Sequence, residues 1–164
     1  MSSFIGKVWK LGDDIDTDII IPTEFLAMKS VEDMKKHAFH PLRPELAALI
    51  QPGDIIVAGK NFGCGSSREQ APEILAAMKV GCVIAKSYAR IFYRNAFNNG
   101  LLLLESDQLP DIVSEGDELT VELEAGKVQF GERTFSVAAI PPDLLQMVRD
   151  GGLVAAMRKL NNKE

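Results

Sequence analysis

The middle of the chain alternates between short apolar runs and amphipathic helical patterns. The apolar runs are QPGDIIVAGK (51–60), CVIAK (82–86) and LLLLE (101–105). Residues 67–79 and 87–100 have a helical pattern; Gly81 follows the first segment as a stop signal, and Gly100 ends the second. A strand–helix–strand–helix–strand order needs two crossover connections, so this region predicts a parallel sheet.

The segments before this region are shorter and less regular. GKVWKLG (6–12) predicts a strand, and DDIDTDIIIP (13–22) is an acidic turn that runs into β-branched apolar residues. TEFLAMKS (23–30) has neither the 3.6-residue period of a helix nor the two-residue period of a strand. Ser30 is a candidate N-cap for a helix through VEDMKKHAF, and RPELAALI (43–50) predicts a further helical turn or two.

The end of the chain changes to a different pattern. Residues 119–137 alternate apolar and polar positions around a glycine-containing turn, which predicts an antiparallel hairpin. Residues 141–164 predict a helix, a Gly-Gly break, a second helix and a polar tail. The expected fold is an α/β domain over residues 1–164, with a short parallel sheet and an antiparallel hairpin.

Composition and charge narrow the class of partner. The 164 residues carry a net charge of −5, with a pI near 5.1, which argues against nucleic acid or an anionic membrane surface. This charge does not exclude a small acidic substrate, because a nearby arginine acts on a ligand more strongly than the diffuse negative charge of the whole chain. The first ten residues lack the apolar core of a signal peptide and no run reaches transmembrane length, so a cytoplasmic location is expected.

The loop NFGCGSSREQ (61–70) carries the most concentrated candidate chemistry. It is not a P-loop, because no Gly-Lys-Ser/Thr follows its glycines, and it lacks the third glycine of a dinucleotide fingerprint. Its glycines still allow backbone N–H groups to approach an anion at a helix N-terminus. Ser66 with Glu69, or Ser67 with Gln70, also fits a capping box. If one serine caps the helix, the other serine and the arginine remain free for a ligand.

Other polar and cysteine residues carry weaker signals. Cys64 is more simply a small packing residue than a reactive thiol, and Cys82 lies in an apolar strand. The two cysteines and two histidines have no metal-site spacing, so no metal site is expected in this chain. Arg90 and Arg94 lie one helical turn apart; they either bind carboxylates or lie on the surface, and the surface interpretation is favoured.

Three motifs in the same order identify a family resemblance. DIDTDIIIP, GKNFGCGSSRE and IAKSYARIFYRNAFNNGLLLLE resemble the small subunits of 3-isopropylmalate dehydratase, the free-standing swivel domains of the aconitase superfamily. The resemblance covers most of residues 6–105. It implies a swivelling, layered β/β/α domain and a hydro-lyase of leucine biosynthesis that acts on a small hydroxydiacid.

The resemblance also implies a division of labour between two chains. A large subunit is expected to carry a [4Fe–4S] cluster as a Lewis acid, in a heterodimer or heterotetramer, while this chain holds no metal. By motif match, Ser66 is expected to be the base that removes the proton next to a carboxylate. Ser67 and Arg68 are expected to bind substrate carboxylate.

Substrate choice is expected to depend on the segment after the acidic motif. Family members that handle a third carboxylate tend to have Tyr-Leu-Arg there, whereas this chain has Phe25, Leu26, Ala27 and Met28. Without an arginine, an apolar substituent is favoured over a buried carboxylate. The alternative is that these are ordinary packing residues, and Lys29 is a nearby cation that reaches the same region.

Two departures from the family pattern leave the substrate open. Gln70 stands where many family members have histidine, and Phe25 replaces the commoner tyrosine. A dehydratase for 2,3-dimethylmalate, or for 2-methylmalate and citraconate, is therefore the alternative enzyme. An anion-binding module without chemistry and a structural or regulatory subunit are the non-enzymatic alternatives.

Overall fold

The computed structural model describes residues 3–138 and 140–150. Within them, seven strands form one strongly curled mixed sheet in the order β4-β3-β2-β1-β5-β6-β7. The strands are β1 (Ser3–Lys10), β2 (Ile55–Val57), β3 (Cys82–Ala85), β4 (Leu103–Glu105), β5 (Glu118–Glu122), β6 (Lys127–Phe130) and β7 (Arg133–Ser136). The α-helices are α1 (Thr17–Ile20), α2 (Val31–Met34), α3 (Leu46–Leu49), α4 (Gln70–Ala77), α5 (Arg90–Asn98), α6 (Leu109–Ile112) and α7 (Pro142–Arg149), with 3₁₀ turns at Thr23–Phe25 and Lys35–His37.

The predicted parallel sheet is confirmed. Strands β1 to β4 pair in parallel, and every residue of β2 and β3 is buried. Strands covered on both faces read as continuous apolar runs, which explains IIV and CVIA in this sequence. The carboxyl ends of β1, β2 and β3 therefore lie side by side at one edge.

The antiparallel region is larger than the sequence indicates. A single hairpin was expected over 119–137, but three strands form there, because Gly126 and Gly131 each allow a turn at positive φ. Strand β5 also pairs antiparallel with β1. The hairpin thus continues the parallel sheet through β1 rather than forming an appendage.

Two helices begin later than the serines predicted. Helix α4 starts at Gln70, and its N-cap, Glu69, makes no capping hydrogen bond with its side chain, so neither capping box forms. Helix α5 starts at Arg90, because Ser87 is bound elsewhere: its Oγ accepts a hydrogen bond from the Asn61 amide at 2.9 Å. The predicted end of this helix is confirmed, since Gly100 (φ 80°) closes it.

Local capping decides the N-terminal segments. The β-branched run after the acidic turn would favour a strand, but Asp16 accepts a hydrogen bond from the Ile19 amide at 2.8 Å and starts the helical turn α1. The Ser30 cap is confirmed by its bond from the Asp33 amide at 3.2 Å. Helix α7 confirms the first C-terminal helix, and the second expected helix lies outside the described residues.

Candidate functional site

Two of the three sequence motifs are joined by backbone hydrogen bonds. The Gly63 amide donates to the Ile15 carbonyl at 2.8 Å, and the Thr17 amide donates to the Cys64 carbonyl at 2.9 Å. A third bond joins the Asp14 amide to the Lys60 carbonyl at 2.8 Å. The acidic turn after β1 therefore holds the glycine-rich loop after β2 along its length.

The third motif closes the other side of the same loop. The Phe62 amide donates to the Ser87 carbonyl at 3.1 Å, and the Ala89 amide donates to the Phe62 carbonyl at 3.0 Å. These bonds form a short parallel bridge between the connections that follow β2 and β3. The glycine-rich loop is thus fixed between two neighbouring connections, at the edge where ligands of parallel sheets usually bind.

Gly63 is required at the centre of this arrangement. Its φ is +81°, a conformation that L-residues with a side chain rarely adopt. A Cβ atom at this position would overlap the ring of Phe92, which is almost fully buried in α5. The backbone of the loop and the first turns of α5 therefore approach each other more closely than any other residue would allow.

A cavity of about 240 Å³ lies between this loop and the start of α5. Thr17, Ser67, Arg68 and Arg90 contribute polar groups to its lining, and Ile91 and Phe92 contribute apolar surface. Two cations beside an apolar wall suit a small anion that carries an aliphatic part.

Arg68 is held in a defined orientation. Its Nη1 donates to Asp18 Oδ1 at 2.8 Å and to the Ile21 carbonyl at 3.0 Å, and its Nη2 donates to Thr23 Oγ1 at 2.8 Å. The hydrogen bond from Arg68 lowers the pKa of the Asp18 carboxyl below its ordinary value. The Nε–H and one Nη2–H make no hydrogen bond to any residue that the structure describes, so they remain available to an anion.

The two serines differ in their relation to the cavity. Ser67 lines it and Ser66 does not, although both are exposed and neither hydroxyl bonds to a described residue. The backbone at Ser66 is anchored, because its carbonyl accepts a hydrogen bond from Thr17 Oγ1 at 2.7 Å. The loop thus carries two hydroxyls without a described hydrogen-bond partner, at the two positions that precede Arg68 in the sequence.

The segment expected to select the substrate lies apart from this cavity. The Phe25 ring stacks on His37 with a centroid distance of 4.0 Å, while Leu26 and Met28 pack half-buried against the core. Ala27 is exposed, as is Lys29. None of Phe25 to Met28 lines the cavity, but the segment begins two residues after Thr23, which Arg68 binds.

The cysteines occupy environments that suit packing. Burial and the nearby carboxylates of Asp16 and Asp14 raise the pKa of the Cys64 thiol, and complete burial raises that of Cys82.

In residues 3–138 and 140–150, no three His, Cys, Asp or Glu side chains come together in a way that would hold a metal ion. In the same residues, no helix is long and apolar enough to cross a membrane.

Arg90 is a functional candidate that received little weight from the sequence alone. The surface interpretation was favoured for it and for Arg94, and Arg90 is indeed exposed, but it also lines the cavity, together with Asn95 and Thr17. The available signal was its place just after β3, because residues that follow neighbouring parallel strands gather at one edge. The expected helix start at Ser87 hid this, since it put Arg90 inside the helix instead of at its first position.

Comparison with known proteins agrees with this geometry. A model of the aconitase C-terminal domain matches residues 14–109, which contain all three segments around the cavity. The 3-isopropylmalate dehydratase small subunit of Lachnospira eligens is 65% identical over 158 residues, covering 96% of each chain. The chain belongs to the family of 3-isopropylmalate dehydratase small subunits.

Other members of this small-subunit family extend the comparison. The small subunit of Syntrophus aciditrophicus is 47% identical over 160 residues, covering 96% of this chain and 98% of its own. A crystal structure of 3-isopropylmalate dehydratase from Methanocaldococcus jannaschii has a TM-score of 0.89 and 35% identity, covering 97% of this chain and 95% of that one. The resemblance drawn from the three motifs is thereby confirmed.

Proposed function

We propose that this chain is the small subunit of a hydro-lyase that interconverts 2-isopropylmalate and 3-isopropylmalate in leucine biosynthesis. The observation that carries the proposal is the cavity on the glycine-rich loop, with Ser67, Arg68 and Arg90 in its lining. The identity of 65% to a named small subunit, over nearly the full length of both chains, supports the substrate class. The enzyme is active only when a large subunit completes the site.

The reaction explains why a serine lies beside an arginine. Removal of a proton next to a carboxylate gives a carbanion whose charge spreads onto that carboxylate, so fixed donors and cations lower the barrier. In the proposed mechanism the Ser66 alkoxide accepts this proton and becomes a hydroxyl. Ser67 and the free Nε–H and Nη2–H of Arg68 bind the carboxylate on which charge develops.

The residues that the structure describes do not fit a [4Fe–4S] cluster. Cys82 is completely buried in β3, Cys64 is half-buried in the glycine-rich loop, and the described residues contain no ligand group of three. The proposal therefore assigns the cluster to the large subunit, and each step given to this chain is binding or proton transfer.

The open form of the site supports a partner that covers it. Ser66 and Ser67 are both exposed, whereas a base and a substrate carboxylate need protection from water to react efficiently. We propose that the whole chain acts as one domain that swivels onto the large subunit, in a heterodimer or heterotetramer. Because the site is open to water without the large subunit, we expect this chain to be inactive when it is alone.

Substrate choice has two candidate determinants. The segment Phe25 to Met28 carries no arginine, which supports an apolar substituent, and it begins two residues after Thr23, which Arg68 binds. Phe92 and the largely exposed Ile91 supply apolar surface in the cavity itself. Both candidates favour an aliphatic substituent over a third carboxylate, so isopropylmalate is preferred to tricarboxylates.

Reconstitution with the large subunit tests the proposal. The chain is mixed anaerobically with its cluster-bearing large subunit, and ultraviolet absorbance follows formation of the unsaturated diacid. The substrates 3-isopropylmalate, 2,3-dimethylmalate, 2-methylmalate and homoisocitrate are compared, with each subunit alone as the control.

Each result has a defined meaning. Highest turnover of 3-isopropylmalate, only with both subunits present, is the expected result. Preference for 2,3-dimethylmalate or 2-methylmalate would replace the substrate, and preference for homoisocitrate would contradict the role of Phe25 to Met28. A stable complex without turnover of any substrate would favour an anion-binding module.

A further inference from the structure

The start of α5 carries two arginines that lack local compensation. Arg90 is the first residue of the helix, and Arg94 lies one helical turn further along. Neither forms an ion pair or a side-chain hydrogen bond with any residue that the structure describes. Both arginines are exposed.

This placement works against the stability of the helix. A cation at a helix N-terminus faces the positive end of the helix dipole, and two like charges four residues apart repel each other. The first turn contains no acidic residue that would offset these effects. Departures from local preference of this kind are expected where a residue serves function.

The two arginines differ in what they face. Arg90 lines the cavity with Ser67 and Arg68, and Arg94 does not. No carboxylate is among the residues that line this cavity in the described part of the chain. Of the two arginines, Arg90 is therefore the one that can contact a ligand in the cavity.

The charge of the other cavity arginine is already balanced. Arg68 lies 2.8 Å from Asp18, so this pair brings little net charge to the cavity. Arg90 is unpaired, and the net positive potential of the cavity therefore depends on it. Within this chain, a dianionic substrate that meets only the Arg68–Asp18 pair would find hydrogen-bond donors for one carboxylate but little net counter-charge for either.

We propose that Arg90 binds one carboxylate of the diacid substrate while Arg68 and Ser67 bind the other. This inference rests on the proposed function, and it adds a substrate-binding residue from the third motif. Between the two cations, Ile91 and Phe92 offer an apolar surface for the aliphatic part of the diacid. Because the contact exists before the proton is removed, Arg90 acts mainly on substrate binding.

Steady-state kinetics of the reconstituted complex test this role. The variants are Arg90→Ala and Arg90→Lys, and Arg94→Ala is the matched control with the same charge change on the same helix. Each is assayed with 3-isopropylmalate at saturating large subunit, and the affinity between the subunits is measured separately by calorimetry. For Arg90→Ala we expect KM to rise about 10- to 100-fold with a smaller change in kcat.

The controls separate the possible outcomes. Arg94→Ala should stay within about twofold of the wild type, and Arg90→Lys should recover part of the affinity, because it keeps the charge but loses the planar fork. Equal KM values for Arg90→Ala and Arg94→Ala would overturn the inference. So would an Arg90→Ala protein with weakened subunit association and an unchanged KM, since Arg90 would then bind the large subunit. Absence of turnover by the wild-type complex would instead reject the proposed function, and this inference with it.

Discussion

The parallel and antiparallel halves of the sheet use their connections differently. After β1, β2 and β3, the connections meet at one edge, hydrogen-bond to each other and form the cavity. Between β5, β6 and β7, the connections are short turns over residues 123–126 and 131–132. Parallel strands require long crossovers and so leave loops free for chemistry, while hairpins leave few residues to spare.

The two halves also use glycine differently. Gly63 combines a positive φ with the close approach of Phe92, so both backbone and packing require it. Gly131 has a positive φ of 61° between β6 and β7, but a Cβ atom there would meet nothing within 4 Å. The antiparallel half mainly completes the core, through Val121, Val128 and Phe135.

Replacement of Ser66, in the parallel half, should lower activity far more than replacement of a serine in the antiparallel half, and this is the largest effect that we expect. If Ser66 is the base, Ser66→Ala should lower kcat by about 10²- to 10⁴-fold, because general base catalysis contributes about that much. Stability should not change, since the hydroxyl is exposed and unbonded to the described residues. Ser136→Ala, at an exposed position of β7, is the control and should keep full activity. A kcat for Ser66→Ala within tenfold of the wild type would show that another group removes the proton.

Alanine at the two glycines should separate packing from backbone strain. Gly63→Ala should cost about 3 kcal/mol, because strain at positive φ adds to overpacking against Phe92. Gly131→Ala should cost only about 1 kcal/mol, from the strain alone. Urea denaturation of both variants measures the difference. Equal losses would mean that the loop moves away from Phe92 at little cost.

The parallel fold was predictable because its signals are local. The buried runs IIV and CVIA, with helical patterns between them and the stop at Gly100, define the crossover units without any tertiary information. The glycine-rich loop was found for the same reason, since glycines and polar residues follow directly after a strand. Pairing of β5 with β1 joins distant segments, and no local pattern encodes it.

The site was predicted less completely because hydrogen-bond competition decided its details. Ser87 matched a helix N-cap, but it binds the Asn61 amide instead, which moves the start of α5 to Arg90. Arg68 was expected to be free, but Asp18 and Thr23 hold part of its guanidinium. Both partners are distant in sequence, so neither competition could be read from the residues alone.

Truncation of Met28 tests whether the substrate segment acts on specificity although it does not line the cavity. If this segment contacts the substituent, Met28→Ala should shift the kcat/KM ratio of 3-isopropylmalate to 2-methylmalate by about 10-fold, because an apolar contact discriminates by about this amount. Leu123→Ala, at a half-buried position beside β5, is the control for loss of packing and should leave the ratio unchanged. An unchanged ratio for Met28→Ala would leave Ile91 and Phe92 as the determinants.

The smallest expected effect concerns the ion pair that orients Arg68. Asp18→Asn should lower stability slightly at pH 7, because the folded state keeps the pKa of this carboxyl below its unfolded value. Because the pKa of Asp18 is lower in the folded state, its ionised form stabilises the fold fully at pH values above the unfolded-state pKa. This stabilisation is lost as pH falls through the folded-state pKa. The difference between wild type and variant should therefore shrink as pH falls below about 4 and disappear only below the folded-state pKa, where Asp18 is protonated in both states.

Denaturation midpoints from pH 3 to pH 7 measure this, with Glu124→Gln as the control. Glu124 pairs with Arg149 at 3.2 Å near the antiparallel half, so its removal also breaks one exposed ion pair. The two variants should lose comparable, small amounts of stability, but only Asp18→Asn should also change KM, because only that pair orients a cavity residue. Equal KM values for the two variants would mean that Ile21 and Thr23 are sufficient to position Arg68. The Ile21 carbonyl and the Thr23 hydroxyl would then be enough to orient Arg68 in the cavity, and the negative charge of Asp18 would not be needed.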